Sequence, residues 1–250
     1  MLSSTRSQTN LLKVTMKKKT EKNKSKNKTT PRTLVVRRSS LKISEVKHPV
    51  LLHKLSLLRD QTISSMSFRQ IVEEMAQMLC YEATKDLKME LRDVTTPLEK
   101  MRAPFIAESV SLVAILRAGL GMLNGMMKIL PNATVGHIGI YKDRFVQATV
   151  EYYLRLPKLT KDHTILLLDP MLATGDTACA AIDRLKEYGV RKIRMITLLA
   201  APEGVAKVNA LHPDVLLYTV SLERELNKKG YILPGMGDAG DRLFDTIQHT

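Results

Sequence analysis

Thr164-Ile165-Leu166-Leu167-Leu168-Asp169-Pro170-Met171-Leu172-Ala173-Thr174-Gly175-Asp176-Thr177 is the stretch on which the fold turns. It opens as a short apolar strand, passes through a loop and enters a helix expected over Thr177–Tyr188. A strand apolar on both faces that feeds a helix belongs in a parallel sheet covered on both sides. The junction between them aims backbone N–H groups and the positive end of the helix at one point, which makes an anion site. Thr174 and Thr177 add hydroxyl donors, and Gly175 lets backbone approach a phosphate closely. Asp169, at the strand end, is placed to accept hydrogen bonds from sugar hydroxyls. The loop has neither the Gly-Lys-Ser/Thr of a Walker loop nor a GxGxxG spacing. Taken alone, the same residues also read as an ordinary loop with a threonine cap.

The alternation continues on both sides. Ser109–Leu116 reads as a strand and Leu120–Ile129 as a helix. Val135–Tyr141 and Val150–Leu156 read as strands joined by a polar hairpin, Lys192–Leu199 and Asp214–Val220 as two further strands. Pro202 suits the first turn of a helix ending at Leu211. Upstream, Ser67 is expected to cap a helix running to about Thr84, whose stripe of Phe68, Ile71, Val72, Met75, Met78 and Leu79 is core. The class is α/β, with no internal repeat. Ligands of such sheets bind at the carboxyl ends of strands, and two more segments fall there. Ile115-Leu116-Arg117-Ala118-Gly119-Leu120-Gly121 is a second strand–helix junction. Its Arg117 is either a cation at a second anion site or half of a buried ion pair. Gly230 to Phe244 combines four glycines, Pro234, Asp238 and Asp241, and by itself could be a turn-rich terminal loop.

Together these segments resemble the type I phosphoribosyltransferases, and within them the uracil enzymes. Many type I loops begin with two adjacent acids; here Pro170 stands second, as in the uracil loop DPMLATGGS. Gly230-Tyr231-Ile232-Leu233-Pro234-Gly235-Met236-Gly237-Asp238-Ala239-Gly240-Asp241-Arg242 matches the family almost throughout, and ILRAGLG matches with Ala114 in place of a usual proline. Val46-Lys47-His48-Pro49, Tyr81-Glu82-Ala83-Thr84, Ala200 to Gly204 and Leu211 to Asp214 extend the resemblance over about residues 44–246.

The resemblance implies a mostly parallel sheet flanked by helices, with a β-hairpin hood. It implies transfer of the phosphoribosyl group of 5-phosphoribosyl 1-diphosphate (PRPP) to uracil, giving UMP and pyrophosphate. Arg117 would meet the pyrophosphate and Asp169 the ribose hydroxyls; these are the catalytic candidates. Pro170, Met171, Leu172, Ala173, Thr174, Gly175, Asp176 and Thr177 would grip the 5-phosphate. Asp176 stands where the family usually has Gly, and its side chain is expected to point outward. In the hood, Lys142 replaces a usual Arg and loses its bidentate fork; the tip, Arg144 to Thr149, also departs from the family pattern. Uracil presents acceptor, donor, acceptor along one edge, which main-chain groups of Ile232, Gly237 and Ala239 would read. Asp238 would lie beside the base, the ribose and a pyrophosphate-bound Mg2+, touching the metal indirectly. Homo-oligomers are common in the family, and GTP is an effector of some members.

The composition bounds the rest. The chain carries +14 over 250 residues, but residues 1–42 hold 13 Lys or Arg against Glu21, a net of +12 that leaves +2 for residues 43–250. A catalytic domain over 43–250 and a basic, disordered extension over 1–42 follow from that split. The extension reads as a solvated tail, an organelle transit peptide, a weak polyanion-binding arm, or a by-product of a second start at Met16. Nucleic-acid binding is expected only there and only non-specifically. No run approaches the roughly 20 apolar residues of a membrane span. Cys80 and Cys179 form no disulfide framework, and the six histidines show no metal-ligand spacing. A cytoplasmic, reducing location fits, or an organelle if the tail is a transit peptide. The competing readings are an RNA-binding regulator on the same fold, an enzyme for hypoxanthine or orotate, and a homologue inactivated by Asp176.

Overall fold

The structure, a computed structural model, describes residues 42–142, 149–159 and 162–246, with only the backbone at Lys142. The basic extension and most of the hood tip lie outside the described residues. From Arg38 onward the chain is one compact unit.

Its centre is a seven-stranded sheet in the order Lys42–Glu45, Leu216–Thr219, Lys192–Ile196, Thr164–Leu168, Val110–Leu116, Thr134–Lys142 and Thr149–Arg155. Every neighbouring pair is parallel except the last, an antiparallel hairpin. The two central strands are buried along almost their whole length, as their unbroken apolar runs require. Alternation sorts their side chains to two cores. Leu112, Leu166 and Leu168 pack with Phe68, Met75, Met122 and Met126 from the helices Ser65–Ala83 and Leu120–Ile129. Val113, Ile115, Ile165 and Leu167 pack with Ala178, Ile182 and Val208 from the helices Asp176–Glu187 and Pro202–Leu211. The α/β class and the order of helices and strands agree with the sequence reading.

Two details differ from it. The helix expected from Ser67 begins at Ser65: the Ser64 side chain accepts the Ser67 N–H at 3.2 Å, so Ser64 is the cap. The strand expected over Lys192–Leu199 ends at Ile196. There the Pro170 carbonyl takes the N–H groups of Leu198 and Leu199 at 3.0 and 3.1 Å. The chain is thereby drawn into a small three-stranded sheet of Met171–Leu172, Leu199–Ala200 and Ser221–Leu222, which ties three loops together above the main sheet. Several elements had no expectation, two of them large. One is the helix Pro49–Arg59, capped by the His48 ring and started by a proline at its first turn. The other is an exposed hairpin, Met89–Thr95 with Lys100–Ile106. Its strands alternate neither cleanly nor against a core, so no period betrayed them.

Helix Leu120–Ile129 lies so close to Ser65–Ala83 that a Cβ on Gly125 would stand 2.1 Å from the Glu73 carbonyl oxygen. Backbone cannot yield as a flexible side chain can. Gly125→Ala is expected to cost about 2 kcal/mol and to lower Tm by about 4–8 °C, measured by thermal melting.

Candidate active site

The carboxyl ends of Val110–Leu116 and Thr164–Leu168 lie side by side, with Ala114 opposite Leu168. Each continues into a loop and then a helix, so the two junctions face the same space. Between them the fit is tight: a Cβ on Gly119 would sit 2.4 Å from the Leu168 carbonyl oxygen. Only glycine permits this approach.

In the first junction, Arg117 follows a cis peptide from Leu116. Its side chain is 54% exposed, so a buried ion pair is not its role. It reaches Asp241 Oδ1 at 3.4 Å and lies over the Phe244 ring at 5.5 Å. Both contacts come from the C-terminal segment, which brings that segment to this junction.

In the second junction, Gly175 takes a left-handed φ of 82° as the cap residue before the helix Asp176–Glu187. Thr177 then falls in the first turn, where N–H groups are unpaired within the helix. Asp169 Oδ1 accepts the Met171 N–H at 3.2 Å, bracing the start of the loop. Asp176 does not point outward. Its Oδ2 accepts the Thr174 hydroxyl at 3.0 Å, and its Oδ1 pairs with Lys207 Nζ from the next helix.

The third segment closes the site. Asp238 caps the helix Ala239–Phe244, its Oδ1 accepting the Asp241 N–H at 2.9 Å. A Cβ on Gly230 would approach Thr174 Cγ2 at 3.8 Å, and one on Gly240 would meet Ala118 Cβ at 4.0 Å. Arg117, Asp169, Thr174 and Asp238 therefore belong to one locality. Ile232 and Ala239 are buried, whereas Gly237, at φ 77°, and Asp238 are exposed at its surface. Lys142 ends the strand beside Val110–Leu116, at the same edge; its side chain is outside the described atoms.

Two carboxylates face each other here. Withdrawal from water pushes the Asp169 carboxyl up to about 7; the neighbouring Asp238 charge pushes it the same way, and the Met171 N–H pulls it back.

The residues that hold the C-terminal loop in shape were not foreseen. Glu223 is buried, with its side chain 2% exposed. Its Oε2 accepts the Gly235 N–H at 3.0 Å, and its Oε1 the Ser221 hydroxyl at 2.7 Å. Arg59 forks onto both carboxylate oxygens at 2.7 and 2.9 Å and also donates to the Gly235 carbonyl at 2.7 Å. One ion pair thus binds both main-chain groups of a glycine in the middle of the loop. Arg242 adds a bond to the Met236 carbonyl at 2.8 Å while stacking over Phe68. The sequence offered no signal, since Glu223 is followed by Arg224 and Glu225, and Arg59 by Asp60.

Two strand–helix junctions abreast on a parallel sheet, with an antiparallel hairpin at its edge, suit a phosphoribosyltransferase. The family described as uracil phosphoribosyltransferase matches residues 45–246. The uracil phosphoribosyltransferase of Thermosipho africanus is 49% identical over 207 residues, covering 82% of this chain and 100% of that one. That of Agrobacterium fabrum is 43% identical over 205 residues, covering 82% and 98%. The structure of the AQ2163 protein from Aquifex aeolicus aligns with a TM-score of 0.79 at 36% identity, over 83% of this chain and 100% of that one. The chain belongs to the uracil phosphoribosyltransferase family. It is a pentosyl-transferring enzyme of uracil salvage, forming UMP.

Glu223→Gln keeps the shape but removes the charge that Arg59 faces. It is expected to cost about 3 kcal/mol and to raise KM for uracil more than KM for PRPP, read from paired substrate titrations. For Asp169 the sign runs the other way. A carboxyl raised from 3.8 to about 7 on folding stabilises the native state fully below pH 3.8 and loses that contribution as pH rises through 7. Asp169→Asn should therefore raise stability by about 1–3 kcal/mol at pH 8 and change it little at pH 4, while lowering kcat. Melting curves at the two pH values check this.

Proposed function

We propose that the three convergent segments divide PRPP and uracil among them. Arg117 meets the pyrophosphate, Asp169 the ribose hydroxyls, residues 170–177 the 5-phosphate, and the main chain of Ile232, Gly237 and Ala239 the base. The observation that carries the assignment is the contact network linking Arg117, Thr174 and Asp238 around one space.

In the reaction the C1–oxygen bond to pyrophosphate breaks as uracil N1 bonds to C1 and gives up its proton. Positive charge gathers on the ribose, so positioning and electrostatics carry catalysis without a covalent nucleophile. As a carboxylate, Asp169 accepts the ribose hydroxyls and lies near the developing charge. Arg117 is exposed and held only loosely by Asp241, which leaves its donors free to turn to the departing pyrophosphate. The loop fixed by Glu223 presents a rigid edge to the base. The hairpin Thr134–Lys142 and Thr149–Arg155 covers the sugar side against water, with Lys142 at its entry.

Among the described residues, no three His, Cys, Asp or Glu gather as a metal cluster. A single exposed carboxylate, Asp238, beside Asp169 suits Mg2+ that arrives with the diphosphate, since this ion keeps its waters and takes one or two carboxylates with substrate phosphates. Such a metal would neutralise charge on the leaving group.

The chain is further read as a homo-oligomer. Met89, Leu91, Leu98, Met101, Phe105 and Ile106 of the Met89–Ile106 hairpin are all exposed, and a lone hairpin is marginal in water; a second copy would cover it. A reducing, cytoplasmic setting is supported by Cys80 and Cys179, both free and buried. No helix among the described residues is long and apolar enough to cross a membrane.

Purified protein incubated with PRPP, Mg2+ and each base in turn is expected to yield UMP with uracil and no nucleotide with hypoxanthine or orotate. No UMP at saturating PRPP would overturn the reading. Arg117→Ala should lower kcat by about 10²–10³ and leave uracil binding nearly intact, as measured in single turnovers.

A further inference from the structure

Asp176 is an anion at an anion site. It occupies the first position of the helix Asp176–Glu187, where negative charge is favoured. It already accepts the Thr174 hydroxyl at 3.0 Å. An incoming 5-phosphate would want that same hydroxyl and the same helix end. Two anions there repel one another unless one is neutralised.

The structure supplies the neutralising charge from a different element. Lys207 lies on the helix Pro202–Leu211 and bonds Asp176 Oδ1 through Nζ. Its stem runs along the loop, for a Cβ on Gly175 would fall 3.3 Å from Lys207 Cβ. The hydrogen bond to Asp176 raises the Lys207 pKa above its ordinary 10.5, so the ammonium is charged at any working pH. The helix Pro202–Leu211 is held against the loop at this corner by the close approach of Gly204 to Ala173, where a Cβ would stand 2.3 Å from the Ala173 carbonyl oxygen.

We propose that Lys207 is a positioning residue for PRPP: it holds the Asp176 carboxylate to one side, so that Thr174 can turn its hydroxyl from Asp176 to the 5-phosphate. The inference rests on the assignment of residues 170–177 to that phosphate. Without Lys207, the carboxylate competes with PRPP for the helix end. Without Asp176, Lys207 has nothing to offset. The two residues are therefore coupled, and the coupling is specific to one substrate.

Steady-state kinetics on Lys207→Met, Lys207→Arg, Asp176→Gly and the double variant Asp176→Gly/Lys207→Met test it. Lys207→Met should raise KM for PRPP about tenfold, with kcat and KM for uracil within about twofold. Lys207→Arg should restore PRPP binding. Asp176→Gly should lower KM for PRPP, and the double variant should regain at least the wild-type value. A Lys207→Met enzyme with unchanged KM for PRPP overturns the proposal, as does a defect that persists in the double variant. Thr177→Ala, run in parallel, separates the two levels. If it raises KM for PRPP while Lys207→Met does not, only the role of Lys207 is wrong. If it leaves KM unchanged, the phosphate assignment falls and the proposal falls with it. Should Lys207→Met fail to fold, the Asp176→Gly arm still decides, because no gain in PRPP affinity there sinks the coupling.

Discussion

The parallel pairing of Val110–Leu116 with Thr164–Leu168 is the constraint on which the site rests. Both strands are sealed between two apolar layers, so their register cannot slip by one residue without exchanging the two cores. That register sets Leu168 opposite Ala114 and brings the two outgoing loops abreast. The absence of a side chain at Gly119 then lets one loop touch the end of the other strand. Arg117 and Asp169, 52 positions apart in the chain, become neighbours because of packing several residues below them.

The two halves of the site are held by different means. The C-terminal loop is fastened by Arg242 and by an ion pair whose carboxylate, Glu223, is buried while Arg59 keeps partial contact with water. A buried pair of this kind is weak support for overall stability but costly to break, and it fixes one arrangement of the main chain. That suits recognition by backbone groups, whose positions cannot be adjusted by a rotamer. At the junction after Val110–Leu116 the charges are at the surface: Arg117 is half exposed and rests on Asp241 and the Phe244 face. Surface pairs are worth little and exchange readily. That suits the role proposed for Arg117, a cation that would leave its resting partner for a diphosphate.

Much of this was readable in the chain. The apolar strand Thr164–Leu168, the loop after it and the helix that follows carry a local signature, because strand burial, the left-handed glycine and the helix start all act within 14 residues. The Arg117 and Gly230–Phe244 segments were legible for the same reason. Long-range facts were not. Glu223 and Arg59 lie 164 positions apart, and neither has a pattern that names the other. The Met89–Ile106 hairpin exposes apolar and charged side chains on both faces, so period-two reading has nothing to hold. The strand at Lys192 ended early because the Pro170 carbonyl captures Leu198 and Leu199, a competition between two distant segments that hydrophobicity does not encode. Ser64 and Ser67 are both serines before the same stripe, and only the bond from the Ser67 N–H to the Ser64 hydroxyl tells which of them is the cap.

Asp176 shows how local and distant information combine. Beside its neighbours in the loop it is an anomaly, a negative charge at the start of a helix built to receive one from outside. Its carboxylate was expected to escape by pointing away, leaving activity intact with weaker PRPP binding. Instead it turns inward and meets a lysine from the adjacent helix. The unusual acid of this loop is thus met by a lysine 31 positions later, on the next helix. Tolerance of that acid is a property of the corner where two helices meet, and only the fold makes the corner.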